Sequence, residues 1–387
     1  MLNRVVTWIA LSAVLGTAVT EAEPVGWRSN GEGAFPKADP PLHWSATSNV
    51  VWKTKLPKWS NASPILVGER VFVCAEPDTL LCLDKNTGEI LWQKENPHPD
   101  GNTKPQTHGD NGFSSPTPVS DGGKMVYVLF GNGMTAAYDL TGDRKWFVPA
   151  GLPRQGWGHS ASPLLVGDRL FVVVEDEARA LKVSDGSTLW KAGAVQSWGS
   201  PVLLPGKGDD LVFTAGGRAY SLATGDIVAT LPKLDYNSAV VAGGRLFCIQ
   251  GDSKAYDIEQ QPGTAPTLKE AWSAGIAKNR YYASPVVLDG LVYALMKNGM
   301  FFVLDAWTGE RKWEKQLPLG GTCYPSIVTA GGYLFLSSDT GKTIVFKPGA
   351  LPEEVATNEI EGFRSTPVFE GTRMYVRGLE HLYCIGR

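Results

Sequence analysis

Four side chains with metal-ligand chemistry stand close together in this chain: His98, Asp100, His108 and Asp110. Imidazole and carboxylate are donors that zinc accepts, but zinc sites space their ligands in recognisable steps, and these intervals match none of them. The segment that carries them, Asn96 to Gly112, is rich in Pro, His, Asp and Asn and reads as a solvated loop or lid. No metal is expected there. Nucleophilic chemistry finds no better footing, because the chain has neither a Gly-x-Ser-x-Gly elbow nor a His-x-x-x-His pair. Gly131-Asn132-Gly133-Met134-Thr135-Ala136 has the glycine spacing of a dinucleotide fingerprint, yet it leads into the strand-like Ala137-Tyr138-Asp139. A pyrophosphate there would need the start of a helix, so the segment reads as a hairpin turn. Gly341-Lys342-Thr343 ends like a phosphate loop, but Leu336 stands where the first glycine belongs.

What remains is a recurring set of aromatic residues, each just upstream of an apolar, strand-like run. They are Trp59, Phe113, Trp157, Trp198, Tyr236, Tyr281 with Tyr282, Tyr324 and Phe363. Polar companions stand beside them: His108, Asn111, His159, Arg280 and Arg364. If the starts of those runs converge, these side chains ring one mouth of a channel. Aromatic rings with polar handles offer contact area at low entropy cost, which suits a peptide or a small polar ligand. The competing reading is that the rings wedge between strands as ordinary core.

The elements that would position them repeat. LDKNTGEILW (Leu83 to Trp92) returns as YDLTGDRKW (Tyr138 to Trp146), LKVSDGSTLW (Leu181 to Trp190) and LDAWTGERKW (Leu304 to Trp313). Worn copies are SLATGDIV (Ser221 to Val228) and the stretched run from Tyr256 to Trp272. Each reads as a strand, a tight turn in which glycine takes a positive backbone angle, and an outer strand ending in tryptophan. Upstream of each stands an opening such as Ser63-Pro64, Ser162-Pro163, Ser200-Pro201, Ser284-Pro285 or Thr366-Pro367, with Ser115-Pro116, Ser238-Ala239 and Tyr324-Pro325 as looser versions. Eight units at spacings of about forty residues predict the blades of a propeller. The fold class is thus all-β, an eight-bladed β-propeller of four-stranded antiparallel blades. The last unit supplies three strands, and the orphan strand Asn49 to Lys55 precedes the first unit. An N-terminal strand completing the last blade would close the ring and leave no open edge. The outer tryptophans Trp52, Trp92, Trp146, Trp190, Trp272 and Trp313 are expected to dock between blades, largely buried. Gly26 to Pro41 shows no strand pattern and is expected to wrap an outer surface.

Residues 1–22 carry Arg4, an apolar run from Val5 to Val19 and small residues before Glu23, the features of a secretory leader. The division expected is therefore a signal peptide, 1–22, and one propeller domain, 23–387, exported to the periplasm or beyond. No other stretch is long and apolar enough to cross a bilayer as a helix. Removing the leader takes away one Arg and one Glu, so the net charge stays at -3, which offers no footprint for nucleic acid. Gly 44 and Pro 26 fit many short strands and turns. Five cysteines cannot all pair within one chain. Cys74 and Cys82 flank a turn and could face each other across a hairpin, but a two-residue turn would place them on opposite faces. The other reading makes all five small buried apolar residues.

The pattern Leu-x-Asp-x-x-Thr-Gly-x-x-x-Trp resembles the tryptophan-docking repeat of quinoprotein alcohol dehydrogenases and of their non-enzymatic relatives, the PQQ-like propeller repeat proteins that include BamB-type outer-membrane assembly factors. The resemblance covers nearly all of the chain from about Trp27 onward. It implies either a pyrroloquinoline quinone held with calcium in the central channel or a binding scaffold without chemistry. Such dehydrogenases commonly set a ring of two neighbouring cysteines over the quinone and hold calcium with Glu, Asn and Asp; this chain has no Cys-Cys and no such triad can be placed. No lipid-attachment cysteine follows the apolar run either. The expectation is an exported, non-catalytic, monomeric scaffold with no cofactor, whose partner is an envelope protein or peptide or a small polar ligand. The alternative is a PQQ-dependent dehydrogenase. 

Overall fold

The computed structural model describes residues 23–29, 31–99, 107–149, 153, 156–261 and 263–386. Residues 1–22, where a leader is expected, and Asp100 lie outside them. Eight antiparallel blades of four strands follow one another, with no helix among the described residues. Blade 1 is built from Ile65–Val67, Arg70–Ala75, Thr79–Asp84 and Ile90–Glu95. Its second and third strands are buried along almost their whole length, because neighbouring blades cover both faces, whereas its outer strand is mostly exposed. Eight apolar clusters fill the eight gaps between neighbouring blades. A four-stranded sheet has too little surface to stand alone, so the core of this protein is the set of gaps.

The repeated motif makes each gap interlock. Asp84 Oδ1 accepts from the backbone N–H of Asn86 and of Thr87 at 2.8 Å each, which shapes the turn, and Asp305 does the same for Trp307 and Thr308. In each outer strand a bulge stands just before the motif's tryptophan position, as in Cys82 facing Trp92 while Leu83 faces Ile90. The tryptophan then reaches into the next blade. Trp92 Nε1 donates to Leu140 O at 3.1 Å, Trp146 to Val183 O at 2.8 Å and Trp190 to Leu222 O at 3.0 Å. Each indole also lies on the turn glycine of that neighbour. A Cβ on Gly225, whose φ is 82°, would stand 2.5 Å from Trp190. Gly225→Ala is accordingly expected to cost about 1–3 kcal/mol, from the left-handed backbone and the overpacked ring together. Chemical denaturation checks this, and a loss within about 0.5 kcal/mol would remove the interlock from the argument.

The ring closes by the same device. Val50–Lys55 pairs with His381–Gly386 and becomes the outer strand of blade 8. From there Trp52 Nε1 donates to Lys85 O of blade 1 at 3.1 Å. Closure is also written in hydroxyls around the channel. The N–H of Ser63 donates to Thr117 Oγ1 (3.0 Å), that of Thr117 to Ser162 (3.0 Å), Ser162 to Ser200 (3.0 Å) and Ser200 to Ser238 (2.7 Å). The circle continues through Ser284 (3.0 Å), Ser326 (3.1 Å) and Thr366 (3.2 Å), whose own N–H returns to Ser63 Oγ at 2.9 Å. This ring corrects two blade openings. In blades 2 and 7 the ring residues are Thr117 and Ser326, two positions after Ser115 and Tyr324, because the ring hydroxyl stands two residues before the inner strand there, as Ser63 does in blade 1.

The N-terminal segment does not wrap an outer surface as its composition suggested. It crosses the channel, anchored at the far ends of inner strands and reaching up between them toward their starts. Val25 bridges Ser120 of blade 2, and Ala34–Phe35 adds a parallel strand to Val328–Ala330 of blade 7. Between them Trp27 points into the channel, and Arg28 is buried with its guanidinium donating to Pro285 O (2.7 Å) and Ile327 O (2.8 Å). These carbonyls stand just before the inner strands of blades 6 and 7 and satisfy the guanidinium inside the channel. Further on, Trp44 packs against Phe335 between blades 7 and 8, where the outer strand of blade 7 has Ala356 in place of tryptophan. The cysteines are all free and buried; Cys74 faces Leu80 and Cys82 faces Phe72, so the two never meet across the hairpin. Burial pushes the thiols of Cys82, Cys248 and Cys323 up to about 12, which leaves them protonated and inert.

Candidate functional site: an aromatic cup at one mouth of the channel

Strand alternation builds the site. Side chains two residues apart share a face. The residue two positions before each ring hydroxyl therefore points into the channel with it. Those residues are Asn61, Ser115, Ser160, Trp198, Tyr236, Tyr282, Tyr324 and Arg364, one from each blade, and all eight line the channel. Above them opens a cup of about 360 Å³ that Asp110, Asn111, Trp157 and Arg280 complete.

Four rings from successive blades stack in series across this cup. Trp198 lies on Tyr236 (5.8 Å between centroids, 24°), Tyr236 meets Tyr282 edge-on (5.2 Å, 70°), and Tyr282 stacks on Tyr324 (4.8 Å, 26°). Arginines cap the row. Arg280 stands 5.2 Å from the Tyr236 centroid and donates to Tyr282 Oη at 3.1 Å; Arg364 stands 5.4 Å from that of Tyr324. On the other side, the connection between blades 1 and 2 folds over the rim. Glu76 holds it by accepting from the N–H of Phe113 (2.9 Å) and of Ser114 (2.6 Å), and desolvation raises the pKa of this carboxyl above its ordinary value. Asp110 of the same connection pairs with Arg364 at 2.8 Å, and His108 stacks on Trp157 at 4.3 Å.

Most of the side chains that the sequence nominates thus meet: Asn111, Trp157, Trp198, Tyr236, Tyr282, Tyr324 and Arg364 line the cup, and His108 backs Trp157. Phe113, His159 and Tyr281 do not. All three are buried, one strand position out of phase with the lining residues or deeper in the connection. Tyr281 packs on Phe302 and donates to Ala277 O at 2.7 Å, while His159 Nδ1 accepts from the N–H of Glu175 at 3.2 Å. Phe363 is core as well. His98 is buried, apart from the exposed His108. Sequence reasoning missed Asn61, Asp110, Ser115 and Ser160 as lining residues. Counting back two from each ring hydroxyl would have found Asn61, Ser115 and Ser160; Asp110 left no signal beyond its charge.

The six outer tryptophans stand away from the cup, at the blade edges. Trp146 and Trp272 are buried; Trp52, Trp92, Trp190 and Trp313 keep part of the indole in solvent. Calcium needs six to eight oxygen ligands with carboxylates among them. Among the described residues of cup and channel the one carboxylate is Asp110, and it is engaged by Arg364. All five cysteines are buried in the blades. The quinone-with-calcium arrangement that the resemblance implies does not fit this donor set.

The chain is similar to several known proteins. It is 24% identical over 293 residues to the outer membrane protein assembly factor BamB of Shewanella oneidensis, an alignment covering 71% of this chain and 68% of that protein. The crystal structure of BamB from Moraxella catarrhalis superposes with a TM-score of 0.67 at 15% identity, covering 87% of this chain and 99% of that one. Quinohemoprotein alcohol dehydrogenase from Comamonas testosteroni shares the fold, with a TM-score of 0.60 at 13% identity over 93% of this chain and 81% of its own. The family described as outer membrane protein assembly factor BamB matches residues 41–174 and 174–385, nearly the whole propeller. This chain belongs to that family of PQQ-like β-propellers.

Proposed function

We propose that this protein is an exported, non-catalytic scaffold that holds a segment of another envelope protein in its aromatic cup. The observation that carries this reading is the stacked row Trp198, Tyr236, Tyr282 and Tyr324, flanked by Arg280 and Arg364. Tyr, Trp and Arg are the residues that dominate binding energy at interfaces, and here rigid strand ends present them. The names of the relatives speak of outer-membrane protein assembly, which makes an envelope protein the partner class to try first. The protein works as a monomer in the periplasm or outside the cell, after loss of residues 1–22, and its donor set gives no step of quinone chemistry.

Two measurements test the reading. A photo-crosslinking residue in place of the exposed Trp157 should capture envelope proteins in the native envelope, and one in place of the exposed Leu351, on the opposite face, should not. Trp157→Ala combined with Trp198→Ala should cut capture at least about tenfold, the worth of one good hot spot. The melting temperature should move by less than about 4 °C, as befits side chains outside the core. Equal capture from both faces, or undiminished capture by the double variant, would return these rings to a structural role.

A further inference from the structure

We propose that the throat beneath the aromatic cup is an anion subsite that takes a carboxylate. The throat encloses about 130 Å³ and is lined by the eight ring hydroxyls. Each of those hydroxyls accepts one backbone N–H from the preceding blade, and among the described residues none donates its own proton to a protein acceptor. Eight O–H donors therefore stand at one level around the axis. Two more buried donors on the same wall, Ser160 Oγ and Arg364 Nε, have no hydrogen-bond partner among the described residues. Each ring hydroxyl keeps one lone pair besides its proton and Asn61 Oδ1 and Asn237 Oδ1 are unpartnered acceptors, but no carboxylate lines the throat, so nothing of fixed negative charge competes for these protons. Buried polar groups are costly to leave unmade, and hydroxyls that can rotate are able to turn all their protons toward one ligand rich in lone pairs.

Charge points the same way. Trp27 forms part of the throat, and the Arg28 guanidinium lies 5.2 Å from the Trp27 ring, is buried, and makes its hydrogen bonds to carbonyl oxygens. Its Nε has no partner, and no carboxylate pairs with it among the described residues. Burial alone pulls its pKa down to about 9, still protonated at neutral pH. An uncompensated buried cation is stabilised by any anion brought near it. The space also fits: one water needs about 10–15 Å³ of such volume, so the throat has room for a carboxylate group. A carboxylate offers about four lone-pair sites to surrounding donors. The N-terminal segment blocks entry from below, so the ligand comes through the cup. Its head would then sit among the hydroxyls while its body lies on Tyr282 and Tyr324.

This inference rests on the cup being a binding site, and two sources of the head group are open: a free aromatic carboxylic acid and the C-terminus of a polypeptide. Calorimetric titration of the full chain with phenylacetate, phenylacetamide, and a Gly-Gly-Phe peptide ending as acid or as amide separates them. The acid of at least one pair should bind at least about tenfold tighter than its amide, the effect of one charge-assisted hydrogen bond set. Tight binding of the peptide acid alone identifies a chain terminus; tight binding of phenylacetate alone identifies a free acid. Arg28→Met should erase the preference. Because Arg28 also anchors the N-terminal segment, Ser160→Ala is the companion variant: it removes no described hydrogen bond and should shrink the preference about threefold. Acids and amides binding alike would overturn the subsite and leave the scaffold reading intact. No binding of any probe, together with no crosslinks from position 157, would overturn both.

Discussion

Deletion of residues 23–56 is expected to abolish the folded monomer. The cut removes the outer strand of blade 8, and with it the Trp52 bond to Lys85 across the seam. It removes Trp44 from the gap between blades 7 and 8, and Trp27 with Arg28 from the channel floor. His381–Gly386 would be left as a six-residue edge of unpaired backbone, a template for pairing with other chains. Size-exclusion chromatography and thermal melting read the outcome: the truncated chain should aggregate or melt far earlier. A truncated monomer with the parent's melting temperature would mean that three-stranded blade 8 needs no closing strand.

The second large effect is expected at Trp272. Its indole is buried, donates to Ala306 O at 3.0 Å and lies on Gly309, whose Cβ, if present, would come within 2.6 Å of it. Trp272→Ala removes that ring from the gap between blades 5 and 6 and should cost about 3–5 kcal/mol. Trp313 is only half-buried and faces blade 7, whose corresponding turn, Lys347 to Glu353, has no Thr-Gly. It rests edge-on against Phe301 at 5.7 Å. Trp313→Ala should therefore cost less, about 1–3 kcal/mol. Urea denaturation of both variants decides the matter. Equal losses would show that apolar area, rather than the lock onto glycine, sets the strength of a blade contact.

The difference between these two tryptophans was already half visible in the sequence. The Thr-Gly turn, the spacing to tryptophan and the recurring openings before each inner strand together announced eight blades and their order, although blades 4 and 7 have alanine at the tryptophan position. The closing strand was legible as well: Val50 to Lys55 carries a motif tryptophan and has no partner strands before it. Two things were not legible. The bulge before each tryptophan leaves no residue signature, since any side chain can be the extra one. The path of the first residues was hidden because Trp27, Arg28 and Trp44 make contacts far along the chain, with carbonyls and apolar gaps that no local pattern describes. At the cup the fault was one of parity. Tyr281 and Tyr282 are adjacent and chemically equal, and only the alternation counted from Ser284 sends Tyr282 to the channel and Tyr281 to the core.

The hydroxyl circle carries a consequence for the order in which the molecule can assemble. Seven of its links join neighbours in the chain, about forty residues apart, and each can form as soon as two successive blades exist. The eighth, Thr366 to Ser63, spans 303 residues, and the pairing of Val50–Lys55 with His381–Gly386 spans still more. Closing so long a loop carries an entropic cost that grows slowly with length, but the partner strand must first have been made. The strand Val50–Lys55, which precedes every blade in the chain, thus finds its place only after His381–Gly386 has been made. Until the final blade is present, the strand with Trp52 has no sheet to join, and Arg28 waits on Pro285 and Ile327 of blades 6 and 7. A chain made from its amino end is consequently held short of the closed ring until His381–Gly386 arrives.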